Sequence, residues 1–483
     1  MTKYIMTRRI VLLFSAFLWI GITSFAQTPD TSQRLNLQEC IQIALKNNDN
    51  VLHREMTSNI AKTNWQGSKG YMLPTLNADI SHGLNTGRNI DPYTNTYANQ
   101  TVRYGNYGLN TSITLFNVFS IQRAIKQNKL AFEASEFEVQ NTKDIIALNV
   151  ILQYLQVLTN EDLLSVSTQQ RDVSQKQVER LDILNQSGSI SPSQFYDLKG
   201  EYANNQLNVV NALDQLQTAQ ITLAQLLNVP YNKNQQLERI GLGDFSIITT
   251  DNTDSIYQAA LHNLAVVKAA ELRSRSALYG LKSYRSQRYP SLYFNGGVFT
   301  NYSSNATLQQ YVNTTDVQTN GYVINDGTKL PVFATQDNYH PNKINYGDQF
   351  SNNFNSSFNI GISIPILNNF RNRTQIKTAL YQQKDAEITL KTTKTQLQQN
   401  VEQAYVNVTS AKNRYAALTE QVDAYKESFR EAEIKFNAGA INSVDYLIAK
   451  NNFDQANLNL IIAKYDYVLR SKILDYYSGK LTF

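Results

Sequence analysis

The 483-residue sequence has a single cysteine, Cys40, so no disulfide can form within the chain. It has four histidines, His53, His82, His262 and His340, scattered with no metal-ligand spacing to acids or to Cys40. It has no Gly-rich phosphate-cradling loop and no nucleophile elbow. These absences leave an enzyme little support and call for no cofactor. Charge of neither sign is concentrated: 44 Lys and Arg face 39 Asp and Glu, interspersed, with no polybasic patch suited to nucleic acid. Past residue 26 no run is long and apolar enough for a transmembrane helix. That leaves a β-barrel open, because its strands give a much weaker signal.

Helix breakers are missing over two long stretches. None of the nine prolines falls between Tyr93 and Ser191 or after Pro365. No glycine falls between Leu109 and Ser187, or between Ile362 and Ala438. Both residue types interrupt helices, so these Gln-, Lys-, Ala-, Leu- and Glu-rich stretches read as long helices. The second carries a heptad: Leu397, Val401, Ala404, Val408, Ala411, Tyr415, Leu418, Val422, Tyr425, Phe429, Ala432 and Phe436 alternate by four and three. That spacing keeps one apolar seam on a partner helix. A continuous helix from Val118 to Asn185 would reach roughly 100 Å at 1.5 Å per residue.

Residues 1–26 read as a secretory signal. Lys3, Arg8 and Arg9 lead an apolar stretch from Ile10 to Ile20, and Ser24-Phe25-Ala26 is a small-x-small cleavage site. Removing it takes three cations and no acids, leaving 44 − 3 = 41 bases against 39 acids, a balance of +2. Cys40 lies too far from that site to bear a lipid and is expected to be a small buried hydrophobe.

What is present is one pattern written twice. Ile43-Ala44-Leu45-Lys46-Asn47 returns as Ala259-Ala260-Leu261-His262-Asn263, and Pro74 as Pro290, at an offset of 216. Further on the offset becomes 251: Leu115-Phe116-Asn117 with Ile366-Leu367-Asn368, Tyr154 with Tyr405, Gly188 with Gly439. The difference is one 35-residue insertion between Pro290 and Ile366. The repeats are placed at 27–240 and 241–483, each with a short helix, a long helix, two strands, a long helix, a tip and a return helix.

Two alternating segments precede each long helix. Leu76, Ala78, Ile80 and Leu84 alternate with Asn77, Asp79, Ser81 and Gly83, and Tyr107 to Leu115 does likewise. Phe354 to Ile364 repeats the pattern, and Leu292 to Asn295 is less clean. Period two with one apolar and one small polar face marks strands. About ten residues let a tilted strand cross a bilayer. Four strands cannot close a barrel, and open edges in lipid would leave backbone groups unpaired, so membrane-spanning strands require several chains to share one barrel. Polar loops are expected at about 86–105 and, with the insertion, at about 301–352. The sequence Asp475 to Lys480 does not alternate and reads as a tail after the last helix.

These residues resemble the TolC-type outer-membrane efflux proteins. Four features match, each twice: the opening helix (Leu35 to Asn48; Ser255 to Asn263), the lead-in to the first strand (Tyr71-Met72-Leu73-Pro74-Thr75-Leu76; Tyr289-Pro290-Ser291-Leu292, one residue shorter), the exit from the second (Thr114 to Asn117; Pro365 to Asn368), and the Gly turn (Asn185 to Gly188; Phe436 to Gly439). The resemblance implies a mixed α and β membrane protein. It would be a homotrimer with four strands per subunit in a shared twelve-stranded β-barrel that continues into a periplasmic α-helical coiled-coil barrel. It would act as the passive exit duct of an efflux pump, in outer-membrane lipid. It would dock on a periplasmic adaptor, the membrane fusion protein, linked to an inner-membrane transporter of the RND or ABC type. Neither catalytic residues nor metal ligands are implied.

The Gly turns would be the periplasmic tip, because reversing between helices needs a positive φ. Ser191 can cap the returning helix with Pro192 in its first turn, and Asn442 or Ser443 can do so in the second copy. The resemblance makes Gly188, Ser189, Ile190, Gly439, Ala440 and Ile441 the adaptor contacts. It places Asp445 at the constriction, where a ring of three carboxylates would favour cations. An ordinary helix N-terminal acid explains Asp445 equally well. Where the family carries a second aspartate this chain has Ile448, and its polar latch is replaced by Phe436, Ile441 and Gln194, so a more apolar closure is expected. Two other readings stay open: a type I protein-secretion duct, and a secreted periplasmic coiled-coil scaffold.

Overall fold

The computed structural model describes residues 34–90, 95–99, 101–240 and 252–480. The expected signal at 1–26 and the terminal Phe483 lie outside them. Helices α1 (Leu37–Asn47) and α2 (Asp49–Gly70) lead into β1 (Thr75–Asn85), a small ribbon of β2 (Arg88–Ile90) and β3 (Tyr97–Asn99), then β4 (Val102–Phe116). Helices α3 (Ser120–Gln186) and α4 (Pro192–Leu227) complete the first half. The second runs α5 (Thr253–Asn263), α6 (Ala265–Ser286), β5 (Ser291–Ser303), β6 (Thr307–Asn325), β7 (Thr328–Lys343), α7 (Tyr346–Asn352), β8 (Asn355–Ser363), α8 (Arg371–Asn437) and α9 (Ser443–Tyr477).

The repeat is visible in element lengths. α1 and α5 each have 11 residues, α2 and α6 each 22, α3 and α8 each 67, and α4 and α9 have 36 and 35. It is visible in backbone torsions as well. Val118 and Phe119 have φ of 53° and 61°, and at the 251 offset Asn369 and Phe370 have 52° and 58°. Left-handed conformations are uncommon for non-glycine residues and rarer still for a β-branched one. Here each pair lies between the end of a strand and the start of a 67-residue helix.

The chain divides into two compact units: Met1–Arg54, Val139–Leu264 and Thr395–Phe483 in one, Glu55–Glu138 and Ala265–Lys394 in the other. The first is helical. Its α1 is too short to persist alone and is held by a capping box, with Glu39 N donating to Asn36 Oδ1 at 2.8 Å and Asn36 N to Glu39 Oε2 at 3.0 Å. Its buried face, Cys40, Ile41 and Ala44, packs on Val150, Ile151 and Tyr154 of α3. Cys40 is the buried hydrophobe expected, its thiol pushed up to about 12 mainly by burial and so kept unreactive. The Tyr154 hydroxyl reaches the carbonyls of Glu238 at 2.6 Å and Leu35 at 3.1 Å, tying both ends of the first repeat to its long helix.

Along α8 the heptad holds. All twelve seam residues are buried or half-buried, and nearly all the positions between them are exposed. The tail reading of 475–480 is corrected: α9 continues to Tyr477, because Leu474 and Asp475 are buried in the helical core, and the chain turns only at Gly479, φ 71°.

The second unit carries an antiparallel sheet in the order β1-β4-β5-β8. Among the described residues both outer strands have an unpaired edge, as expected of strands completed by other subunits. β4 starts earlier than the alternation suggests, because Val102 is buried and Arg103 is held by Ser304 Oγ at 3.0 Å. The 301–352 segment, expected as loop, is mostly ordered strand. β6 and β7 pair over nearly their whole length into a two-stranded arm.

Candidate functional site

Directly paired residues of an antiparallel sheet share a face, so the register assigns both faces. One carries Leu76, Ile80, Leu109, Phe294, Phe358, Ile360 and Ile362. Its edge-strand members are among the most exposed apolar residues in the chain, Ile80 at 73% and Phe358 at 71%. The other face reads in rows across the four strands: Thr75, Ser112, Asn295 and Asn359 in one, then Asn77, Asn110, Gly297 and Ser357 in the next. Asp79 continues this face and accepts from Asn110 Nδ2 at 2.9 Å. A sheet mainly apolar on one face and rich in amides and hydroxyls on the other is suited to a wall between lipid and water. At Gly361 the close approach is real: a Cβ there would run into the Tyr293 ring lying across it from β5.

In the helical unit, α3 meets α4 and α8 meets α9 through turns of the same geometry. Gly188 and Gly439 both have φ 72°. Ser189 N donates to Leu184 O at 2.9 Å and Gly188 N to Asn185 O at 3.0 Å; Ala440 N donates to Lys435 O at 2.8 Å and Gly439 N to Phe436 O at 3.0 Å. These are paired Schellman closures, and they satisfy the last carbonyls of each helix. The next helix is capped in both copies: Ser191 Oγ accepts from Ser193 N at 3.3 Å, with Pro192 in the first turn, and Asn442 Oδ1 accepts from Asp445 N at 2.9 Å. Asn442, not Ser443, is therefore the second cap. Ser443 is buried, donating to Asp197 Oδ2 at 2.9 Å.

Behind the turns Leu181, Phe195, Leu198, Phe436 and Tyr446 form an apolar cluster, with Ile190 and Ile441 packed at its edge. The rings of Phe436 and Tyr446 stack at 4.6 Å. Phe436 and Ile441 thus share one cluster, and Gln194 sits half-buried on the first turn of α4, its N bonded to Ser191 O at 3.1 Å. Gly188, Ser189, Gly439 and Ala440 are exposed, while Ile190 and Ile441 are half-buried. Asp445 is exposed too, flanked by the exposed Val444 and Ile448.

Sequence reasoning missed the charges near this tip. Lys450, 2% exposed, lies 2.5 Å from Asp454 Oδ2 and 3.3 Å from Glu201 Oε1. Burial holds the Asp454 carboxyl above the ordinary range, with Lys450 pulling it down. Arg180 donates to Asn437, linking α3 to the end of α8. The Lys450–Asp454 pair was visible as a helical i,i+4 spacing, but nothing in the sequence brings Glu201 to it from 249 residues away.

The geometry agrees with what the chain resembles. The family model described as outer membrane efflux protein matches residues 40–229 and 256–480. The outer membrane protein VceC of Vibrio cholerae shares the fold with a TM-score of 0.74 at 14% identity, over 92% of this chain and 96% of that one. The CmeC outer membrane channel of Campylobacter jejuni gives 0.75 at 15% identity, over 92% and 86%. The MtrE outer membrane channel of Neisseria gonorrhoeae gives 0.71 at 16%, over 92% and 88%. Among curated proteins none matches the sequence. Among the described residues no helix is long and apolar enough to cross a membrane; the two-faced sheet is the part suited to lipid. With the family match spanning nearly all of both repeats, the chain belongs to the outer membrane efflux protein family, whose members are outer-membrane channels of the TolC type and not enzymes.

Proposed function

We propose that the chain assembles as a homotrimer into the passive exit duct of a tripartite efflux pump, carrying small molecules across the periplasm and outer membrane. The observation that carries this is the four-stranded sheet with one apolar face, one amide-lined face and two unpaired edges. In hydrocarbon each unpaired edge group costs several kcal/mol, and three copies edge to edge supply twelve strands and leave none. The duct has no reaction to perform. Its inner wall offers hydrogen bonds to water and weak purchase to any one solute. Energy enters at an inner-membrane transporter, RND or ABC in type, through an adaptor that meets the turns at Gly188, Ser189, Ile190, Gly439, Ala440 and Ile441. Asp445, exposed in the first turn of α9, contributes a ring of three carboxylates at the narrow end.

Two measurements test this. Light scattering of the detergent-solubilised protein should give the mass of three chains, and a monomer would end the proposal. In planar bilayers Asp445→Ala should raise single-channel current and weaken block by divalent cations. Current and block identical to the parent would remove Asp445 from the constriction.

A further inference from the structure

We propose that the outer end of the sheet's apolar face, at Arg103, His82, Tyr302 and Tyr346, is a binding site for the phosphate headgroup of an outer-leaflet lipid. This rests on the membrane barrel of the trimeric duct proposed above. Arg103 pairs with Leu84 and so lies on the apolar face. On that face of the four strands it is the only side chain with a permanent charge.

Its depth follows from the register. β1 follows α2 and β4 leads into α3, so Leu84 and Arg103 mark the end of the sheet away from the helices. Toward that end the face changes row by row. Leu292, Phe294 and Ile360 belong to the apolar band. Ile80, Tyr107 and Thr300 come next, then His82, Gly105 and Tyr302, and last Leu84 and Arg103. From Leu292 to Tyr302 a strand tilted by about 40° climbs roughly 25 Å, the height of the lipid-facing band of an outer-membrane barrel. Arg103 stands one row beyond it, at headgroup depth.

The short helix α7 lies across the same rows. Thr300 Oγ1 donates to Phe350 O at 2.8 Å. The Tyr346 ring lies 5.0 Å from Tyr302, and Phe350 lies 5.6 Å from Tyr107. The Tyr346 hydroxyl donates to that of Tyr107 at 2.6 Å, and the Tyr107 hydroxyl also meets His82 Nε2. Tyr346 and Phe350 stay exposed, and such rings favour the edge of a bilayer. β4 and β5 are the inner pair of the sheet, so subunits joined at β1 and β8 leave this patch to lipid.

The Arg103 main chain is fixed by Ser304, whose Oγ accepts from Arg103 N at 3.0 Å and whose N donates to Arg103 O at 2.8 Å. The side chain is exposed, and among the described residues its guanidinium has no hydrogen-bond or ion-pair partner. Asp348, the acid of α7, is taken by Asn345 Nδ2 at 2.6 Å. A cation bordering an apolar face is costly without an anion. The planar guanidinium fork matches phosphate oxygens bidentately, while the acyl chains lie along the apolar rows below.

Native mass spectrometry of the detergent-solubilised protein tests this, after light scattering has shown the parent to be a trimer. The probes are phosphatidic acid and the diacylglycerol of the same acyl chains. The parent should retain phosphatidic acid several-fold better. Arg103→Gln should bring the two lipids level, Arg103→Lys should keep most of the preference, and Lys329→Gln in the β6–β7 turn should keep all of it. Equal retention by a trimeric parent, a preference that survives Arg103→Gln, or a Lys variant no better than Gln overturns the site and leaves the duct intact. Displacement of the lipid by millimolar inorganic phosphate reveals a free-anion site and overturns the lipid assignment. A parent that is not trimeric overturns both site and duct.

Discussion

Tyr154 and Tyr405 occupy equivalent places in the two repeats and live in different surroundings. Tyr154 on α3 is fully buried and hydrogen-bonded to two carbonyls, whereas Tyr405 on α8 is 39% exposed. The same holds for Lys450 and the residue 251 positions earlier, Lys199: the first is enclosed by two carboxylates, the second is exposed beside the Phe195 ring. Two helices of equal length thus do different work. α3 is apolar over a broad face, from Ile146 through Val150, Ile151, Leu155 and Leu158, and enters the core. α8 is apolar along a narrow seam and supplies no residue to that cluster among the described residues. The lesson is that the repeat preserves a backbone path, while the width of the apolar face decides how deep each copy sits.

The largest break in that comparison is expected at the tyrosines. Tyr154→Ala should destabilise by ~3–5 kcal/mol through the cavity it leaves, with Tyr405→Ala below about 1 kcal/mol. Heat-denaturation midpoints of the detergent-solubilised protein would show the gap, and equal shifts would mean the two helices are equally buried. Next come the lysines. Lys450→Met leaves the half-buried Glu201 and Asp454 without their cation, a loss of up to about 3 kcal/mol, while Lys199→Met should change little. The first loss should also depend on pH. Without Lys450 the folded-state pKa of Asp454, already raised by burial, rises further above its unfolded value. Between the two values the native state holds a proton the unfolded chain releases, so the contribution is lost as pH rises through the folded pKa. The Met variant should therefore be weaker at pH 8 than at pH 5 relative to the parent. The smallest effect sharpens the likeness: Gly188→Ala and Gly439→Ala, both at φ 72° with open space around the missing Cβ, should each cost about 1 kcal/mol. Unequal costs would show that the two turns are not equivalent.

Much of this was legible in the sequence because it is local or periodic. The glycine- and proline-free stretches marked both 67-residue helices, the four-three spacing marked the α8 seam, and alternation marked the sheet. The β6–β7 arm was not legible, since period two shows only when one face is apolar, and here apolar and polar residues mix on both faces. The end of α9 was misread because a failure to alternate excludes a strand but not a helix, and the burial of Leu474 and Asp475 comes from tertiary packing that no local pattern shows. The Lys450 cluster escaped for the same reason. The tip turns could be placed from glycine alone, but the apolar cluster behind them assembles Leu181, Phe195 and Phe436 from three separate helices.

The left-handed pairs Val118–Phe119 and Asn369–Phe370 have a mechanical consequence. Neighbouring strands stand about 4.8 Å apart and packed helices about 8–10 Å, so a layer of one cannot simply be extended into a layer of the other. In each repeat the joint, residues 117–119 and 364–370, ends in a two-residue left-handed elbow just before the helix. Both sides of the joint can then keep regular geometry. A twist of the helices about that elbow need not be transmitted as shear to the hydrogen-bonded wall beyond it.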